Sequence, residues 1–277
     1  EGMSSHTPGV TYQWEKSDNG GVNWSSIGGA TSASYTTGIT TYADDHDDQY
    51  RCVISAVGAA TPATTNAVVL TVQRTFFIIS QPVNATANEG ATANFTVTVS
   101  TSSGSATYQW ERSDDGGANY APIGSATNAT YTTPTLVFAN DNLDRYRVVV
   151  SLVGAAASIT STHGELTVLR VISIQTQPAS TAVIEGGQGT FNIVASITSG
   201  AISYQWQKST NGGGAWTNIN GANSATYTTP NTVFPTTPAE QFRCILTNAN
   251  ATTVTSTAAT LTVNELSLIH ISEPTRL

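Results

Sequence analysis

Apolar and polar residues alternate in short runs along the chain, as in Phe95-Thr-Val97-Thr-Val99 and Tyr146-Arg-Val148-Val-Val150, and clusters of Gly, Asn, Asp and Ser separate the runs. Alternation with period two turns one face of a run toward a core, so each run predicts a short strand. Helical spacing is absent. Thr, Val and Ala with abundant Gly suit pleated surfaces and turns. The pattern predicts an all-β protein made of sandwiches.

The runs recur with a fixed period. Tyr12-Gln13-Trp14, Tyr108-Gln109-Trp110 and Tyr204-Gln205-Trp206 stand 96 residues apart. The same offset joins Trp24, Tyr120 and Trp216, then Ile27, Ile123 and Ile219, then Tyr35, Tyr131 and Tyr227, then Tyr50, Tyr146 and Phe242. The Gln-Pro pairs ending at Pro82 and Pro178 keep the period, as do Val72 and Val168, whereas the third unit, ending at Val263, is one residue shorter. Self-similarity of this kind marks a tandem array. Within a unit, the Tyr-x-Trp spacing sets both rings on one strand face, and an indole there belongs between two sheets. The predicted structural core is therefore Trp14, Trp110 and Trp206 with Tyr50, Tyr146 and Phe242.

About 36 residues after each Trp comes an acidic-x-aromatic-Arg string: Asp48-Gln-Tyr50-Arg-Cys52, Asp144-Arg-Tyr146-Arg-Val148 and Glu240-Gln-Phe242-Arg-Cys244. Together with the Trp this resembles the immunoglobulin-like (I-set-like) fold, with its strand C Trp and a tyrosine corner two residues before the strand F Cys. The wording, above all Ile219-Asn-Gly-Ala-Asn-Ser-Ala-Thr-Tyr227-Thr-Thr-Pro230, is similar to the tandem immunoglobulin-like modules of phage virion proteins and bacterial surface proteins. The resemblance covers residues 11 to 264 and implies tandem sandwiches in an extended row. One departure is that strand B carries Val97 and Ile193 where the first Cys would stand, so no inter-sheet disulfide forms; Cys52 and Cys244, two modules apart, are expected to be buried, inert thiols.

The domains read as an N-terminally truncated module over 1–72, modules over 73–168 and 169–265, and a non-native tail over 266–277. Residue 1 falls in phase with Val97, inside strand B, which predicts a missing start and a Trp14 more exposed than Trp110 or Trp206. The tail, Leu-Ser-Leu-Ile-His-Ile-Ser-Glu-Pro-Thr-Arg-Leu, resembles the translation of a transposon-type sequencing-library adaptor. That implies assembled environmental or draft DNA as the source; the other reading is an ordinary linker or a further first strand.

Charge narrows the chemistry. Ten Lys plus Arg against 18 Asp plus Glu give a net charge of -8, which argues against nucleic acid and anionic lipid as partners. No apolar run is long enough to cross a bilayer. The string Ser-x-Asp/Asn-x-Gly-x-x-aromatic, at Ser17–Trp24, Ser113–Tyr120 and Ser209–Trp216, resembles the Asp-box hairpin of sialidases, a structural turn. Asp44, Asp45, Asp47 and Asp48 form the densest acidic run and a weak candidate for a hard cation such as Ca²⁺; the other units do not keep it, so a solvated loop is the stronger expectation. His6, His46, His163 and His270 occupy unrelated repeat positions, and no nucleophile–base set emerges. No cofactor and no enzyme activity is expected. The resemblance implies a structural and display protein at a virion surface, as a tail fibre or capsid-surface appendage, or else a bacterial secreted or cell-surface adhesin. Its partners would be other modules and host-surface glycans.

Overall fold

The structure, a computed structural model, describes residues 9–236 and 238–266. In the second unit one sheet runs in the order Ala121–Pro122, Thr107–Ser113, Arg145–Ser151, Gly164–Leu169 and Ala85–Asn88; the last pair is parallel and the others antiparallel. Facing it, Phe76–Ser80 pairs with Thr98–Thr101, and Asn94–Thr96 pairs with Thr130–Thr132. The third unit repeats this with Thr217–Asn218, Ser203–Ser209, Glu240–Thr247, Ala259–Asn264 and Thr181–Ile184 against Ile172–Thr176 paired with Val194–Ile197 and Thr190–Asn192 paired with Thr226–Thr228. The chain is thus an all-β tandem of immunoglobulin-like sandwiches. In the first unit, the described strands form a single sheet around Val10–Ser17 and Gln49–Ala56.

Register explains the core. Trp110 lies opposite Val148, Trp206 opposite Cys244 and Trp14 opposite Cys52, and directly opposed residues share a sheet face. Trp110 and Trp206 are fully enclosed, whereas Trp14 is half-buried. Each indole N–H donates to a backbone carbonyl, of Asn128 at 2.9 Å, Ser224 at 2.8 Å and Ser32 at 3.0 Å. In the second unit Phe95 stacks on Tyr146, and Tyr131 and Trp110 continue the row with tilted rings; in the third Phe191 stacks on Phe242, and Tyr227 and Trp206 continue it the same way. Val97 and Ile193 are buried at the strand B position. The Cys244 thiol, pushed up to about 11 by burial, is far from the thiolate form that reacts.

The Gln-Pro pairs mark where the first strand changes sheets. Proline cannot donate to a ladder, and the side chain beside it takes over the suture: Gln81 Oε1 accepts from Thr162 N at 2.9 Å, and Gln177 Oε1 accepts from Thr257 N at 2.9 Å. The residue missing from the third unit falls in the turn after Ala251, because Arg74 bridges to Ala155 and Arg170 to Ala251 in the 96-residue phase, while Ile159 and Val254 occupy equivalent ladder places 95 apart.

The tyrosine-corner expectation needs correction. The Tyr146 hydroxyl points to the Asp144 carboxylate at 3.5 Å rather than to backbone upstream, and Phe242, which has no hydroxyl, fills the same place in the third unit. What the two units share at this position is a buried aromatic ring. Residues 1–8 of the truncated start and residues 267–277 of the tail, with His6 and His270 among them, lie outside the described residues.

Candidate functional site at the unit junctions

The sialidase-like string is a hairpin turn built three times. Ser17, Ser113 and Ser209 Oγ each accept from the backbone N–H of Gly21, Gly117 and Gly213 at 2.9 Å and donate to Asn19, Asp115 and Asn211. These three glycines adopt φ between +88° and +94°, a left-handed conformation that glycine reaches without the steric cost of a Cβ. Hydrogen bonds from Asn119 N–H and Ser113 hold the Asp115 carboxyl down to about 2.

The acidic run is a capped turn with one lysine set against two of its carboxylates. Asp44 Oδ2 accepts from Thr41 Oγ1 at 2.8 Å, and Asp45 Oδ2 accepts from Thr41 N at 2.8 Å. Lys16 Nζ reaches Asp48 at 2.5 Å and Asp45 at 3.3 Å, while Asp47 faces solvent. Among the described residues no three acidic, His or Cys side chains converge as metal ligands. The same place holds Arg112 beside Asp144 and Asp141 in the second unit and Lys208 beside Glu240 in the third. Burial pushes the Asp144 carboxyl up to about 6 although Arg112 Nε lies 2.6 Å away. That pair is a contact of charges off the N–H axis, not an aligned hydrogen bond.

Chemically distinctive groups gather instead where units meet. At the first junction the Arg74 guanidinium lies 3.9 Å above the Tyr42 ring, Tyr42 stacks on His46 at 4.3 Å, and Arg74 N donates to Gly154 O at 2.8 Å. A Cβ at Gly154 would stand 2.3 Å from the Tyr42 ring, so the close approach demands glycine there. At the second junction the Arg170 guanidinium lies 3.8 Å above the Phe138 ring and Arg170 N donates to Asn250 O at 2.7 Å. Glu89 completes this one: its carboxylate accepts from Phe138 N at 3.0 Å, Thr198 Oγ1 at 2.5 Å and Ser199 Oγ at 3.0 Å. Those hydroxyls, Thr198 foremost, hold Glu89 below the usual carboxylate range, with help from Phe138 N–H and Arg170. Tyr42 and Phe138, like Arg74 and Arg170, stand 96 residues apart, so one device joins the units twice. Of these residues only His46 stands out in the sequence, as one of four histidines; for the others the columns of the repeat are the signal.

Residues 2–74, 80–170 and 175–265 match the family described as Domain of unknown function (DUF8696). The chain belongs to that family. Each DUF8696 match contains one Trp of the core series. No curated protein matches the chain. Solved structures similar to this DUF8696 chain include Drosophila OTK extracellular domains 3-5, at 15% identity over 92% of this chain and 85% of that one with a TM-score of 0.45. The titin I-band fragment I67-I69 is similar at 13% identity over 92% and 88%, with a TM-score of 0.49. Sidekick-1 immunoglobulin domains 1-5 are similar at 16% identity over 93% of this chain and 52% of that one, with a TM-score of 0.38. Among the described residues no helix is long and apolar enough to cross a membrane.

Proposed function

We propose that this chain is a non-enzymatic structural and display protein, a component of a phage virion such as a tail fibre or capsid-surface appendage, whose modules hold host-contacting loops away from the particle. The observation that supports this reading best is the repeated junction: two successive joins set an arginine on an aromatic ring and tie the linker to the next unit's turn. A spacer needs such joins, because a free linker would let its modules fold back and lose reach. On this reading the partners are other modules of the same or a neighbouring surface protein, and host glycans meet the exposed turns. Antibody against the chain, applied in immunogold electron microscopy to phage particles and to bacterial cells, tests it. Label on tails or capsids is expected. Label confined to uninfected bacterial walls overturns the virion assignment in favour of a cell-surface adhesin.

A further inference from the structure

The linker of the first junction is held by a hydrogen bond whose acceptor can be lost to a proton. Val72 N donates to His46 Nδ1 at 3.2 Å. The counterparts 96 residues on repeat the bond with an amide, Val168 N to Asn142 Oδ1 at 2.9 Å, and the third unit has Pro238 in that column. One backbone N–H is thus served in two units by a side chain of the preceding turn, once an imidazole and once a carboxamide. A backbone N–H can only donate, so the bond requires an unprotonated Nδ1 and a neutral ring with its proton on Nε2.

Val72 depends on its acceptor more than Val168 does. Val168 lies within the strand Gly164–Leu169 and pairs with Ala87, whereas Val72 follows Val68–Val69, the last described strand of the first unit. Before it Leu70 is tied to Asp47 and Asp48 by backbone bonds, and after it Arg74 is tied to Gly154. His46 therefore holds the middle of the linker. The charged and titratable groups around the imidazole act in opposite senses. Tyr42, on the helical turn Tyr42–Asp45, stacks on it, and the Arg74 guanidinium rests on that same Tyr42 ring, so an imidazolium would share the ring with a second cation. Asp47 Oδ1, 3.7 Å from Nε2, attracts a charged ring but stands in solvent, where the attraction is screened. Asp45 and Asp48 are engaged by Lys16.

We propose that the first junction is a proton-operated hinge, closed while His46 is neutral and released when a proton from solvent occupies Nδ1. The ring then carries two N–H donors and no acceptor, Val72 N–H turns to water, and the linker loses its hold between Leu70 and Arg74. Imidazole side chains as a class change charge between about pH 5 and 8. The first join therefore opens in conditions where the second, governed by a Glu89 carboxylate held below its ordinary value, stays shut. Such a hinge serves a row of modules on a virion or on a cell surface alike, so its failure and that of the virion assignment are separable.

The test uses the full chain with one spin label on the first unit and one on the second, measured at pH about 8 and about 5. A narrow distance distribution at the higher pH and a broader one at the lower are expected. His46→Asn, which installs the second unit's own residue, should be narrow at both, and His46→Ala broad at both. Asp144, which also titrates in this range, is retained in His46→Asn, so broadening caused by it would persist there. Hydrogen exchange in the unsubstituted chain gives a second reading. Protection of the Val72 amide, corrected for its intrinsic rate, should fall about two- to tenfold over the same interval, the equivalent of one hydrogen bond, while that of Val168 holds. A parent distribution of constant width, broadening that survives in His46→Asn, a narrow His46→Ala at the higher pH, or Val72 protection that does not fall relative to Val168 would each overturn the proposal.

Discussion

An indole that gives up all contact with water and still needs a partner for its N–H is the most demanding side chain in a unit. Trp110 meets both demands, enclosed by Phe95 and Tyr131 and bonded to Asn128 O. Trp110→Ala is therefore expected to cost about 3–5 kcal/mol. Arg147 points to the other face, where it pairs with Glu111 at 2.7 Å and lies 3.8 Å above the Tyr120 ring. Both contacts are partly solvated, and Arg147→Ala should cost about 1 kcal/mol. Denaturant unfolding of the two variants checks the assignment of faces, which equal midpoint shifts would refute. Asp144 makes a second residue-scale prediction. Its folded carboxyl holds a proton up to about 6 against a reference value of 3.8, because burial opposes the charge. The protonated form is favoured by the fold, so this contribution is complete below the reference value and is lost as pH rises through about 6. Asp144→Asn should melt above the parent at pH ~7, with the difference closing at pH ~3; a difference that grows on acidification would reverse the sign.

At the scale of elements, the two complete sandwiches differ where the loop before Arg145–Ser151 and Glu240–Thr247 crosses the open edge of the core. In the second unit Leu136 plugs that edge at 2% exposure. Thr232 takes its place in the third, turns its hydroxyl to Gly187 O at 2.9 Å, and leaves a 220 Å³ pocket among Tyr227, Phe242, Leu261 and Val263. Thr232→Leu should fill part of it and add about 1 kcal/mol, the lost hydroxyl bond offsetting part of the gain, while Leu136→Thr should cost about 2–3 kcal/mol. Unfolding midpoints of the paired variants read this directly; a destabilised Thr232→Leu would mean that the loop, not the vacancy, sets the packing. Strands, the faces they bury and the Trp-centred core were legible in the sequence because alternation is a local signal and the 96-residue phase repeats it three times. Pairings across loops were not. That Lys16 neutralises Asp48, and that Tyr146 turns its hydroxyl to a carboxylate, depend on side chains brought together by the sandwich. The arginine and aromatic columns of the junctions lie in segments without periodicity, where only the repeat offset distinguishes them from solvated loop residues.

For the molecule as a whole, the decisive quantity is how firmly one unit is set on the next. The Phe138 turn and Glu89 meet the linker and turns of the third unit at Arg170, Thr198 and Ser199. Such contacts run end to end, the arrangement an extended row requires. Glu89 is the titratable member of this join. Its folded carboxyl is held below its ordinary value by Thr198, Phe138 N–H, Ser199 and Arg170. A depressed carboxylate stabilises the contact above the ordinary range, and the effect is lost as pH falls through the folded value. Acidification should then loosen the second junction before the sandwiches melt, since Trp206 and its ring partners carry no titratable carboxyl. Spin labels on exposed strand positions of the second and third units should give one narrow distance distribution near neutral pH and a broader one in acid. Glu89→Ala should be broad at both, because the two hydroxyls and the Phe138 N–H lose their shared acceptor while the stacked Arg170 alone cannot fix the angle. A distribution that stays narrow in Glu89→Ala would transfer control of the join to Arg170 and the linker hydrogen bond to Asn250.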